Sequence, residues 1–219
     1  MKRYLFEKYS IIFFIFITGS LIGFIHENLL AYIQGNYHLK QGLIYEPLIP
    51  VYGVGILIFY FLYREVSFSN NKLQNLFKMF IIGFFVGGAF EYLCSLTQEK
   101  IFETISWNYA WLKYNLYGRT SLMHSLFWGL SGVGFCLFLL PFYEKSKIIL
   151  KKKPYKIAIV LMSMLTFLDC SISFIACRRQ TDRRNGIEAQ NIIEEFLDRH
   201  YPDEYLNTIY TNARIPERN

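Results

Sequence analysis

Apolar residues in this chain come in unbroken blocks, not at the spacing of a half-buried helix or strand. The blocks run over about 11–33, 47–63, 79–97, 121–143 and 157–177. Roughly 20 apolar residues are needed to cross a hydrocarbon layer ~30 Å thick. No water is present in that layer to satisfy backbone N–H and C=O groups, so each block must close its own hydrogen bonds as a helix. The expected fold is therefore all-α: a polytopic transmembrane bundle of about five spans over residues 1–178. A polar tail, 179–219, follows. The net charge of +6 does not point to nucleic acid, because the basic residues gather at the ends of the apolar blocks. There they meet lipid headgroups and set topology.

The first block follows a short basic start (Lys2, Arg3, Lys8). It is longer than a signal-peptide core and carries His26 and Glu27, so it reads as a retained span. Between blocks three and four, Trp107, Trp111 and Tyr114 share one face of a helix. This predicts a segment lying flat in the interface as an aromatic anchor. In the tail, Ala189, Ile192, Ile193, Phe196 and Leu197 recur at helical spacing, predicting an amphipathic helix over about 187–200. It is expected to dock on the membrane surface or on its own bundle. Cys94, Cys136, Cys170 and Cys177 lie in or at the end of apolar blocks without metal or redox spacing, and read as small buried hydrophobes.

Basic residues give an orientation for a multi-pass protein of the cell membrane. With the N-terminus inside, the cytoplasm receives the three at the start, then Arg64, Lys72 and Lys78, then six lysines over 145–156. The other side receives Lys40, Lys100, Lys113, Arg119 and four arginines after block five. Twelve against eight favours a cytoplasmic N-terminus, with the four arginines as the opposing signal.

The chain also repeats itself. Gly19-x3-Gly23-x3-Glu27-x-Leu29 in block one matches Gly83-x3-Gly87-x3-Glu91-x-Leu93 in block three. Ten residues after a loop glycine, each partner block carries an aromatic–glycine pair: Gly42 leads to Tyr52-Gly53, and Gly118 to Trp128-Gly129. Two tandem helix pairs of the same orientation would produce this pattern, as parallel repeats do in transporters. Small residues four apart let two backbones approach closely, which makes Gly19, Gly23, Gly53, Gly83, Gly87 and Gly129 the expected packing positions. Glu27 and Glu91 extend those stripes and should face protein.

Few ionisable residues fall inside the blocks, and such residues are functional by default. His26, Glu27, Glu91, Asp169, His124 and Arg119 are the candidates for a substrate- or ion-binding site. At 1.5 Å per residue, the three carboxylates lie ~18–24 Å from the starts of their spans. They are therefore expected in one layer, approached by Arg119 and His124. Protonation, pairing with Arg119 or a histidine, or a bound cation would relieve the cost of burying them. Histidine with carboxylate suits zinc or another divalent metal, although no motif implies a cofactor. The structural alternative is a polar network that fixes helix register, with Asp169 simply bonded to Ser173.

No P-loop, GxSxG, HExxH or nucleotide fingerprint is present. A catalytic triad of Ser125, His124 and Asp169 lacks favourable geometry. The run from Gly42 through Pro47, Pro50, Tyr52 and Gly53 to Gly55 carries a family resemblance. Trp107-Asn-Tyr109, Asn115 to Arg119, and Trp128-Gly129 add to it. These residues resemble the ABC-transporter type IV family of bacterial membrane permeases over roughly 17–180. One departure is Glu46, where that family tends to have glycine.

The resemblance implies a membrane subunit served by a separate ATPase. The EAA coupling motif of ABC importers has no match here. A proton- or cation-linked transport subunit is the leading expectation. A lipid-modifying or metal-dependent membrane enzyme and a non-catalytic scaffold are the alternatives. The partners expected are the bilayer and an ATPase subunit, with a homo-oligomer left open.

Overall fold

The computed structural model describes residues 2–66 and 69–216. The side chains of Lys2, Arg3 and Tyr4 and residues 217–219 of the tail lie outside it. Among the described residues the protein is all-α apart from one hairpin of two two-residue strands and a single bridge between Ile105 and Arg214. Among the described residues four helices are long and apolar enough to cross a membrane: α1 (Lys2–Ile33), α3 (Lys72–Phe102), α4 (Leu122–Leu150) and α5 (Lys153–Arg184). α2 (Pro50–Glu65) lies between α1 and α3. Two short helices, α6 (Ile192–His200) and α7 (Asp203–Ile209), close the chain.

The second apolar block differs from its expectation. Its helix begins at Pro50, whose missing N–H suits the first turn, and is 16 residues long. At 1.5 Å per residue that is ~24 Å, short of the hydrocarbon thickness. The chain from Lys40 to Ile49 runs beside α1 without helical bonds: Asn28 brackets Lys40, and the Ile49 N–H reaches the Ser20 carbonyl at 3.1 Å. Irregular backbone is tolerated at membrane depth where protein covers it, and Leu43, Ile44 and Leu48 are buried here.

Lipid is as apolar as leucine, so close van der Waals contact has to hold the helices together. The glycines supply it in the same way twice. A Cβ on Gly23 would lie 2.5 Å from the Tyr52 Cβ, and one on Gly87 would lie 2.5 Å from the Trp128 Cβ. A Cβ on Gly19 would lie 3.0 Å from the Gly53 Cα, and one on Gly83 would lie 3.1 Å from the Gly129 Cα. The pair α1–α2 and the pair α3–α4 thus cross at equivalent residues. The second crossing falls on a π-helical turn of α3, Gly83–Gly87, a widening common at functional positions. Ile15, Tyr60, Met79, Phe135 and Tyr143 fill the core between the pairs.

The lysine-bearing end holds the start of α1, the α4–α5 junction and an ion pair between Lys151 and Glu7 at 3.6 Å. The opposite end is a cap built from 34–49, 103–121 and the tail. The connector predicted as a flat interfacial helix is instead a compact loop. α3 ends at Glu103 in the left-handed region (φ 53°), and β1 (Asn115–Leu116) then pairs with β2 (Thr120–Ser121). Trp107 donates to the Arg119 carbonyl at 2.8 Å, so the aromatic there is spent on holding the loop.

In the tail the helix starts at Ile192, later than expected. Asn191 caps it by accepting the Glu194 N–H, and 187–191 run without helix. Leu197 packs with Tyr201, Leu206, Ile44 and Ala176, while Ile192, Ile193 and Phe196 stay exposed. Buried Arg179 forks onto Asp198 at 2.8 and 2.9 Å, and Arg183 bridges Asp198 and Asp203. Bidentate Arg–carboxylate contacts are the strong kind.

Candidate functional site

Two carboxylate corners face each other across the repeat. At the first, Tyr52 donates to Glu27 Oε1 at 2.5 Å, and Lys40 lies 3.4 Å from Oε2. Asn28 fixes Lys40 through both its backbone groups, at 2.7 and 2.8 Å. His26 is exposed, with Nδ1 at 3.4 Å from the same Tyr52 hydroxyl.

At the second corner, Glu91 accepts from Thr120 at 2.7 Å and from Tyr109 at 3.1 Å, with the Trp128 side chain beside it. Among the described residues no cation pairs with it. Tyr109 stacks on His124 with ring centroids 3.6 Å apart and planes at 16°. His124 Nδ1 lies 2.7 Å from Ser121 Oγ, which also accepts the His124 N–H as the cap of α4. The catalytic-triad candidate Ser125 is not the serine that His124 meets.

The hairpin aims Tyr109. Its N–H donates to Gly118 O at 2.8 Å, and Tyr117 (φ 53°) and Gly118 (φ 70°) make the turn. A side chain at Gly118 would collide with Asn108 Oδ1. Burial, then the Glu91 carboxylate, push the Tyr109 phenol upward, so it remains a donor. The two corners also sense each other: Tyr52 is within electrostatic range of Glu91 and Tyr109, and Tyr109 of Glu27.

The other two candidates lie elsewhere. Arg119 pairs with Glu99 at 2.5 Å and sits 5.8 Å over the Tyr92 ring. It does not neutralise Glu27, Glu91 or Asp169. Asp169, 4% exposed, accepts the N–H groups of Tyr45 at 3.1 Å and Glu46 at 2.7 Å, and the Ser173 hydroxyl at 3.1 Å. Its charge holds the irregular 40–49 segment in place of missing helical bonds. One layer of six polar groups is therefore a centre of four (His26, Glu27, Glu91, His124), one cap ion pair and one structural carboxylate. The four side chains that complete the centre are Lys40, Tyr52, Tyr109 and Thr120. Tyr52 had a sequence signal in the repeat and Tyr109 in the family resemblance, whereas Lys40 and Thr120 had none as partners. Among the described residues no three His, Cys, Asp or Glu side chains group as metal ligands.

Four membrane-length apolar helices around an interior polar centre define a polytopic α-helical membrane protein. Residues 14–174 match the family model described as putative ABC-transporter type IV, and the chain belongs to that family. No curated protein and no solved structure matches the chain.

Proposed function

We propose that the protein is the permease subunit of a membrane transporter, with Glu91 as its proton- or cation-exchanging group. The observation that carries this reading is the surroundings of Glu91: two neutral hydroxyl donors, Thr120 and Tyr109, and no paired cation among the described residues. A carboxylate held this way keeps oxygens ready for a proton or a small cation. Its partner in the repeat, Glu27, is already neutralised by Lys40. His26, next to Tyr52 and exposed, is the entry group from the cap side. His124 positions Tyr109.

The family suggests a separate ATPase as the energising subunit. In this reading the N-terminus and the lysine-bearing end face the cytoplasm of a bacterial cell. The arginines that opposed this orientation have local partners: Asp182, Asp198, Asp203 and the Phe102 carbonyl.

The test is purification in mild detergent, identification of stoichiometric partners by mass spectrometry, and reconstitution into vesicles. A potassium diffusion potential then drives proton uptake, read with an internal pH dye. A P-loop ATPase in the complex and uptake lost in Glu91→Gln support the reading. Equal uptake by wild type, Glu91→Gln and protein-free vesicles rules out the exchanging role.

A further inference from the structure

Away from the carboxylate centre, a groove of about 440 Å³ opens between the lysine-side halves of α1 and α5. Tyr9, Phe13 and Phe16 wall it on α1, and Met164, Phe167 and Cys170 on α5. These positions recur at three- and four-residue steps, so each set is one face of its helix. From Tyr9 to Phe16 the groove is ~10 Å long at 1.5 Å per residue, enough for part of an acyl chain.

Its polar mouth is cationic. Lys156 lies two helical turns before Ser163, another groove residue, on the same face of α5, and its ammonium stands 5.6 Å over the Phe6 ring. Lys8 precedes Tyr9, Lys152 is the cap residue before α5, and Lys153 begins that helix. Lys151 is engaged by Glu7, whereas no ion pair involving Lys8, Lys152, Lys153 or Lys156 occurs among the described residues. An apolar slot between two spans beneath a group of lysines matches the chemistry of an anionic lipid, with chain in the groove and phosphate at the ammoniums.

We infer that this groove is a binding site for an anionic phospholipid. The lipid lays one acyl chain against Phe13, Phe16, Met164 and Phe167, and its phosphate meets Lys156, supported by Lys8. The site is independent of the Glu91 centre and separates selective lipid binding from bulk solvation of the bundle. A juxtamembrane lysine contributes ~1 kcal/mol toward an anionic surface, which is about fivefold in affinity.

The test is native mass spectrometry of the full chain in detergent, titrated with dioleoylphosphatidylglycerol or dioleoylphosphatidylcholine. Wild type should hold the anionic lipid more tightly. Lys156→Gln should weaken that lipid about fivefold and leave the zwitterionic lipid unchanged, and Lys156→Arg should restore it. Ser163→Trp, which fills the groove, should weaken both, with unchanged melting temperature as the check on folding. Equal affinity for the two lipids, or an unaffected Lys156→Gln, overturns the headgroup assignment. Unchanged lipid binding in Ser163→Trp overturns the groove. Full displacement of the lipid by inorganic phosphate at the concentration of the lipid would mean that free phosphate is the ligand, and would also overturn it.

Discussion

The Glu27 and Glu91 corners share a frame and differ in charge. In each, a glutamate one turn beyond a Gly-x3-Gly stripe lies against the aromatic residue of the next helix: Tyr52 donates to Glu27, and Trp128 sits beside Glu91. The connectors then diverge. The 34–49 connector delivers an ammonium to Glu27, and the 103–121 connector delivers a phenol and a hydroxyl to Glu91. A duplicated scaffold thus carries one carboxylate closed by a counter-charge and one left with neutral donors. The loops, which tolerate change most easily, make that difference, while the glycine crossings stay the same.

The largest effects should come from the crossings themselves. Gly83→Ala places a methyl 2.5 Å from the Trp128 carbonyl oxygen, a backbone atom that cannot rotate away. Its counterpart Gly19→Ala meets only the Gly53 Cα and the Ile56 side chain at 3.0 Å. Overpacking costs about 1–3 kcal/mol, and Gly83→Ala should fall at the upper end and Gly19→Ala at the lower. Thermal unfolding in detergent reads both; equal losses would mean that the two crossings are not distinguished by this contact.

Next comes the cap, where the tail meets 34–49 through the Tyr45–Tyr201 hydroxyls and 103–121 through the Ile105–Arg214 bridge. Asp198→Asn leaves Arg179, 3% exposed, without its charge partner and should cost about 2 kcal/mol, discounted for the half-open carboxylate. The hydrogen bond from Arg179 holds the Asp198 carboxyl below its ordinary value of 3.8. A depressed folded value gives stability that is full above 3.8 and lost as pH falls through the lower folded value. Tail protection from protease should therefore persist at neutral pH and fade below about pH 4 in wild type. An acid-insensitive tail would remove the ion pair from its account.

Smaller effects should follow at the corners. Lys40→Gln makes the Glu27 corner resemble the Glu91 corner and should lower stability by about 1 kcal/mol, the scale of a partly screened charged contact. Tyr109→Phe removes one neutral donor and should cost about 0.5–1 kcal/mol while slowing proton uptake. Unchanged uptake in Tyr109→Phe would place the phenol outside the exchange path.

Much of the fold was legible because lipid leaves few choices: a twenty-residue apolar block has to be a helix. The glycine register was legible for the same reason, since close approach demands an absent side chain at fixed spacing. The connectors were not. Trp107, Trp111 and Tyr114 have helical spacing, yet the left-handed Glu103 and the Tyr117-Gly118 turn fold the segment into a hairpin. Asp169 has the look of a site residue, but sequence does not reveal that two backbone N–H groups from 45 and 46 use it. Lys40 and Thr120 were invisible as partners because their contacts cross 13 and 29 residues of chain. Along the apolar stripe of the tail only Leu197 is buried, while Ile192, Ile193 and Phe196 are exposed. Leu197 alone of the stripe joins Ile44 and Ala176 in the buried cluster.

The most direct test of the difference between the corners is proton uptake by vesicles holding either Glu91→Gln or the double variant Glu27→Gln with Lys40→Gln. The double change removes a charge pair together and should retain most uptake, while the single change should abolish it. Uptake lost in the double variant and kept in Glu91→Gln would reverse the assignment and contradict the account.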